Sequence, residues 1–396
     1  MKNRGSICSN VTCRLPGLAN GWLYIFTYLI LGYLGLSAES EEVDVWVGTG
    51  QNGIFHLKLD TNEGVLSQPR PVSDLKGAGF LALHPTEDIL YATSRGKAGG
   101  VTAFAVVSNG KDSVENIGPQ LKQLGTLTTG DGGAACVAVD KTGKVLATAQ
   151  YGGGSVSTFL LNEQGDLDRR VETIEHGEGS RVHPKRQVSA HPHWVGTSPD
   201  NRFLMVPDLG MDRVFVYGLD SNTGQLKLKS KVPLPPGSGP RHMKFHPSGA
   251  YAFVLNELTL TLSVFRYDPS NASLEARTVV ATLPPALKDK HLNSAAEIRV
   301  HPNGRFVYAS NRGHDSIAVF SFDEDTGELR LIERESIRGA WPRNFNIDPT
   351  GKWLIAAGQR SNTLALFEID QVTGELVFTR QLVNLPAPIC VLFESE

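Results

Sequence analysis

The sequence predicts an all-β, seven-bladed β-propeller. Three observations carry this. A unit of about fifty residues recurs along the chain. Each copy alternates apolar and polar residues between turns rich in Pro and Gly, with no helical periodicity. The two ends of the array are incomplete in complementary ways.

The repeat is plainest in three copies. PRHMKFHPSGAYAFVLNELTLTLSVFRYD begins at Pro240, SAAEIRVHPNGRFVYASNRGHDSIAVFSFD at Ser294 and WPRNFNIDPTGKWLIAAGQRSNTLALFEID at Trp341. Earlier copies start near Phe80, Ala135 and His193. Each unit divides into four strands. The first ends in an HP, SP or DP turn, the third is rich in Val, Phe and Ile, and a D-x-x-T-G-E-L type of loop opens the fourth. Pro and Gly in those turns supply the fixed and permissive φ values that reversals need. Six units are complete. Val43–Leu66 reads as later strands without a first, and Ala387–Phe393 as a first strand without followers. Joined, they make a seventh blade from both ends of the chain, which closes the ring and leaves no open array edge.

The first 42 residues stand apart from the propeller, which occupies residues 43–396. Lys2, Arg4 and Arg14 precede an uncharged apolar run from Leu15 to Ala38, and acidic Glu39, Glu41 and Glu42 follow. That order reads as a signal peptide, or as a membrane anchor if it is not cleaved. It implies an exported or envelope-anchored protein; without a working leader the same propeller would be cytoplasmic.

Net charge is −3 and the sequence pI about 6.4, with no basic block or basic–aromatic stripe, so nucleic acid is not an expected partner. Four cysteines without a CxxC pair predict neither a zinc site nor a redox motif. No metal or organic cofactor is expected.

Strand direction places the chemistry. The HP, SP and DP turns lie on one face of the ring, so the starts of first strands and the ends of second strands share the other. Polar residues that folding does not demand gather there: His193, Arg241, His242, Glu297, Arg343 and Asn344 at first strands, and Asp208, Asp212, Arg213, Asn256, Glu257, Asn311, Arg312, His314 and Asp315 at second-strand ends, with Tyr151 and the Gly152–Gly154 run. Arginine beside Glu and His at a channel mouth suits an oxygen-rich anionic small molecule. His84, His246 and His301 fall in the far-face turns and read as turn residues. Structural alternatives stand beside the functional ones. Arg241 and Arg312 could bridge blades through Glu257 or Asp315, Glu297 could pair with Arg299, His193 could be a core histidine with His191 as its rival, and Asp208, Asp212 and Arg213 could pin a tight loop.

These motifs resemble those of the propeller lactonases, which include the propeller-type bacterial 6-phosphogluconolactonases and the fungal carboxy-cis,cis-muconate cyclases. The likeness runs from about Val43 to the C-terminus and is strongest from His191 onward, through AHPHWVGTSPDNRFLMVPDLGMDRVFVY, GPRHMKFHPSGAYAFVLNELTLTLSVF and SAAEIRVHPNGRFVYASNRGHDSIAVF. The family's site, a His, two Arg and a Glu at the channel mouth, falls on His193 (HPH), Arg241 (GPRH), Glu257 (NEL) and Arg312 (NRGHD). Asp208, Asn256, His242, Asn311 and Arg343 are then candidates for substrate contact. The apolar leader departs from the family, and the early loops around Ser94–Gly96 and Gly130–Gly133 match poorly, which leaves the choice of substrate open.

The resemblance implies hydrolysis of a sugar lactone, with His193 as general base because its ordinary pKa lies near neutrality. Arg241 and Arg312 would hold an oxyanion or an anionic substituent, and Glu257 would orient them. The same groups could serve a muconate-type cycloisomerase, and a non-enzymatic binding or scaffold propeller is the alternative from another class. An exported enzyme would meet an unphosphorylated or aromatic-derived lactone rather than a phosphorylated one. Oligomeric state and the segment Gly177–Gln187 are left without an account.

Overall fold

In the computed structural model the described residues are 42–94, 99–108, 118–288 and 293–394. The expected leader lies outside them. Among the described residues no helix is long and apolar enough to cross a membrane.

The described residues form seven antiparallel sheets around a central channel, six of four strands and one of five. Their innermost strands include Ala134–Val139, Pro240–Phe245, Ser294–Val300 and Pro342–Ile347. One single-turn helix, Pro285–Lys288, sits in the connection that precedes Ser294. The composite blade forms as the two chain ends predict. Cys390–Phe393 is its innermost strand and pairs antiparallel with Glu42–Gly48, in a register that sets Val45 against Phe393 and Gly48 against Cys390. Outward from there run Ile54–Asp60 and then the short pieces Val65–Leu66 and Arg70–Ser73. Trp46 Nε1 donates to Glu394 at 3.2 Å, so the last described residue is also held.

Each blade buries both faces against its neighbours, which is why second strands such as Tyr251–Asn256 and Trp353–Gly358 are buried throughout. The turn motifs join blade to blade. His84, His246 and His301 each place Nε2 near the carbonyl oxygen of a turn glycine in the next blade: Gly143 at 2.9 Å, Gly304 at 3.0 Å and Gly351 at 2.7 Å. The turn reading of these histidines therefore holds, and they are inter-blade latches as well. At the ring closure Gly64 (φ 65°) lies on the Trp353 ring; a Cβ there would meet the ring at 2.1 Å, so the position takes only glycine. Trp353 Nε1 donates to Thr61 O across the same junction at 2.8 Å.

First strands open with irregularities that matter for the channel mouth. In Pro240–Phe245 the pairing passes from Pro240↔Asn256 to His242↔Leu255, leaving Arg241 as an extra, unpaired residue. Pro342–Ile347 does the same at Arg343, between Pro342↔Gly358 and Asn344↔Ala357. Ser294–Val300 also carries an extra residue, between Ala295 and Ile298. A β-bulge re-aims the side chain of the extra residue. Here it turns two arginines, each from a P-R motif, towards one opening.

Candidate active site

A cavity of about 490 Å³ occupies the channel mouth at the starts of the first strands. His193, Arg241, Glu257, Arg312 and Arg343 line it, together with Tyr151 and Arg186. The four residues matched to the family's site thus converge on one opening.

Glu257 is the hub. It directly follows the second strand Tyr251–Asn256, and its backbone N–H donates to Gly239 O at 2.8 Å. Its Oε2 lies 3.0 Å from Arg241 Nε, and its Oε1 lies 3.2 Å from Arg312 Nη2 and 2.6 Å from Arg186 Nη2. Burial alone would raise the Glu257 carboxyl, but Arg312, Arg241 and Arg186 outweigh it and hold it down at about 2. An unfolded glutamate titrates at about 4.3. The folded value is depressed, so this cluster stabilises the fold above the unfolded value and loses that contribution as pH falls towards 2. Thermal melts from pH 7 down to pH 3 should show the melting temperature dropping below about pH 4.5, and a flat profile there would contradict the cluster.

Arg241 is buried and bonded from both sides. Its Nη1 donates to Ala296 O and lies 2.9 Å from His242 Nε2. His242 Nδ1 lies 2.9 Å from Glu297 Oε1. Burial pulls His242 down to about 3, with Glu297 opposing and Arg241 assisting, so the ring is neutral. A neutral ring facing a guanidinium must accept at Nε2 and donate from Nδ1 to Glu297. Glu297 is further held by Arg299 Nη1 at 2.9 Å and by Asn344 Nδ2. Burial pulls Arg241 itself down to about 9, assisted by Arg312 and Arg343 and opposed by Glu257; it remains a cation at pH 7.

Arg312 ends the strand Phe306–Arg312, donates from Nη2 to Ala295 O at 2.9 Å and lies over the Trp341 ring at 5.5 Å. His193 packs edge-on to Tyr151 (centroids 5.3 Å apart) and against His242 (5.3 Å). Its pKa is driven well below 6.5 by burial first, then by Arg241, His242 and Arg343. Among the described residues, three buried polar groups here have no hydrogen-bond partner: His193 Nδ1, Arg241 Nε and Arg312 Nε. Arg241 Nε is near Glu257 but poorly aligned for a hydrogen bond. Buried unsatisfied groups are uncommon, and three around one opening mark a place built for a polar ligand.

Four residues expected to touch substrate do not line this cavity. Asp208, Asn256, His242 and Asn311 have 0% exposure. Asp208 accepts from the backbone N–H groups of His191 (2.7 Å) and Gly210 (3.0 Å) and faces His176 Nδ1 at 2.7 Å. Asn256 donates to Thr261 and Ser263 of its own blade's third strand, both at 2.9 Å. Asn311 accepts from Thr282 Oγ1 at 2.6 Å. For Asp208, Asn256 and Asn311 the physical reason is alternation: at the end of a second strand, consecutive side chains point in opposite directions; His242, in a first strand, follows the extra residue Arg241 and faces Glu297 instead. Glu257 enters the opening while Asn256 turns back onto the sheet. Asp208 holds the loop backbone at His191 and Gly210, as the loop-pinning alternative has it, and His242 lies against Arg241. Arg343 alone of the five lines the cavity. His191 stacks on Tyr151 with centroids 4.5 Å apart, outside the lining.

Arg186 was not among the expected site residues. It comes from Gly177–Gln187, a loop that joins the fourth strand of one blade to the first strand of the next and so emerges on the face of the opening. Asp212 anchors the loop: its Oδ1 accepts from Gln187 Nε2 at 2.6 Å and its Oδ2 from Ser180 Oγ at 2.9 Å. Arg186 then reaches Glu257 and, at 3.1 Å, the Tyr151 hydroxyl. Strand direction was the signal that could have found it, since every fourth-to-first connection must cross that face.

Residues 44–393 match the family model described as lactonase, 7-bladed beta-propeller. The chain belongs to the seven-bladed β-propeller lactonase family. It is 36% identical over 358 residues to a protein of Bacillus subtilis strain 168 named 6-phosphogluconolactonase, a match covering 89% of this chain and 98% of that one. Among solved structures it is similar to the periplasmic gluconolactonase of Pseudomonas aeruginosa (TM-score 0.81, 29% identity, 89% of this chain and 99% of that one). It is also similar to a protein from Lactobacillus plantarum (TM-score 0.80, 31% identity, 89% and 100%). The match to this lactonase family spans the composite blade as well as the six continuous ones.

Proposed function

We propose that this lactonase-family propeller hydrolyses a sugar lactone bearing an anionic group, of the 6-phosphogluconolactone class, in the cavity around Glu257. The observation that carries this reading is the charge of the lining: four guanidinium groups (Arg186, Arg241, Arg312 and Arg343) against one carboxylate, Glu257. Such a lining favours a charged oxygen-rich ligand over a neutral one.

His193 takes a proton from water as the water oxygen adds to the lactone carbonyl. Arg241 and Arg312, oriented by Glu257, stabilise the oxyanion that forms. The ring C–O bond then breaks, and protonated His193 returns the proton to the departing alkoxide, leaving a hydroxy acid. The low pKa of His193 keeps it unprotonated in the free enzyme at neutral pH but makes it a weak base. An anionic substrate offsets two of the causes, the Arg241 and Arg343 cations, and so strengthens the base when it is needed.

The apolar leader and the likeness to a periplasmic gluconolactonase favour a second reading, an unphosphorylated sugar lactone met outside the cytoplasm. Rates on a six-carbon δ-lactone with and without its phosphate decide between them. The first reading expects kcat/KM to be roughly 10- to 100-fold higher for the phosphorylated compound, the value of one or two charge-assisted hydrogen bonds. Equal or reversed rates favour the second reading. No turnover of either, with a muconolactone processed instead, would replace both with the cycloisomerase.

A further inference from the structure

We propose that the other half of the central channel is a second binding site, for an organic monoanion with an apolar body, its charged group on Lys244 and its body against Trp194 and Phe245. The geometry rests on a second cavity of about 450 Å³, within the range of small-molecule sites. It is stacked beneath the first. Ala135 lines the upper cavity and Cys136 the lower; His193 the upper and Trp194 the lower; Ile389 the upper and Cys390 the lower. Phe80 lines both.

The lining is mostly apolar, and two cations, Lys244 and Arg299, enter it. They differ in one respect. Arg299 is already neutralised, with Nη1 at 2.9 Å from Glu297 Oε1 and Nε donating to Asn346 Oδ1 at 2.7 Å. Among the described residues no carboxylate lies within ion-pair distance of Lys244; its ammonium rests over the Trp194 ring at 5.1 Å. Setting Glu297 against Arg299 leaves one positive charge facing the lower cavity. A half-buried ammonium in a mostly apolar wall, without a counter-ion, is costly, and an entering anion relieves that cost. A hydrophobic wall with a single cation selects an amphiphilic monoanion, such as an arylalkyl carboxylate, over a polyhydroxylated sugar or inorganic phosphate. This site therefore differs in chemistry from the arginine cluster above it.

Burial lowers Lys244 to about 8, with Arg299 acting in the same direction and Glu297 opposing. The other titratable groups near it are His242, which burial holds neutral at about 3, and Cys136 and Cys390, which burial pushes up to about 12 and keeps neutral. Binding of an anion should consequently weaken as pH rises through about 8.

Calorimetric titration of the full chain with 4-phenylbutyrate, and with the neutral 4-phenylbutanamide, tests this. The expected result is saturable binding of one carboxylate per chain with the amide at least about tenfold weaker, a comparison that needs no variant. Lys244→Met should weaken the carboxylate at least about tenfold and Lys244→Arg should retain it within about threefold. Arg186→Ala, in the upper cavity, should leave it unchanged. No saturable binding, equal binding of acid and amide, or loss in Arg186→Ala with none in Lys244→Met would each overturn the proposal, the last by placing the probe in the upper cavity.

Discussion

Replacing His193 with alanine should lower kcat by at least about 10²-fold on whichever lactone the enzyme turns over best. The expectation follows from its place. His193 is the only imidazole among the residues lining the upper cavity, and its Nδ1 has no protein partner among the described residues. Ring packing against Tyr151 and His242 orients it, in place of the carboxylate that often orients such a base. The pH profile supplies a check that a merely structural role would not move. In the free enzyme the imidazole titrates well below 6.5, so kcat/KM should stay level from about pH 6 to pH 8. The acid limb of kcat should lie higher, because a bound anionic substrate raises the same group. Wild-type-like turnover by a folded His193→Ala protein would remove the base role, and an acid limb of kcat/KM centred near pH 6.5 would contradict the electrostatics.

Loss of the Glu257 carboxylate should have the largest effect on stability. The side chain is buried against three guanidinium groups, and two of them, on Arg241 and Arg312, are themselves buried. Removing one partner from a buried ion cluster leaves uncompensated charge and typically costs about 3–5 kcal/mol. Glu257→Ala is therefore expected to lose about that much unfolding free energy, read as a lower denaturant midpoint, and to lose activity because Arg241 and Arg312 repel one another without it. Glu257→Gln preserves shape and some hydrogen bonding, so it separates the two effects. It should fold better than the alanine variant yet recover little kcat. A Glu257→Ala protein as stable as the parent would mean that solvent already screens the cluster.

Much of this was readable in the chain. The repeat, the strand directions and the split blade follow from local rules: alternation buries two faces, Pro and Gly set the reversals, and an incomplete first unit needs the last strand. His193, Arg241, Glu257 and Arg312 converge because first-strand starts and second-strand ends must share a face. Other features were not readable. Asp208, Asn256, His242 and Asn311 occupy the same face by strand direction, but each turns into the protein and bonds there. Whether a strand-end side chain enters the opening or folds back depends on its phase and on the bulge beside it. The P-R motifs gave no warning that Arg241 and Arg343 are the extra residues of two bulges.

Local sequence, then, determined the ring, its closure and the face that carries the polar residues, because turns and alternation act over a few residues. Tertiary structure alone decided which of those residues reach the cavity, that Arg186 joins Glu257 from a loop with no repeat pattern, and that the pKa of His193 is far from its ordinary value. Each depends on groups more than fifty residues apart in sequence or on burial by several blades at once, as in the 71-residue separation of Arg186 from Glu257. Local pattern contains no information about such encounters; only the closed ring brings them within reach of one another.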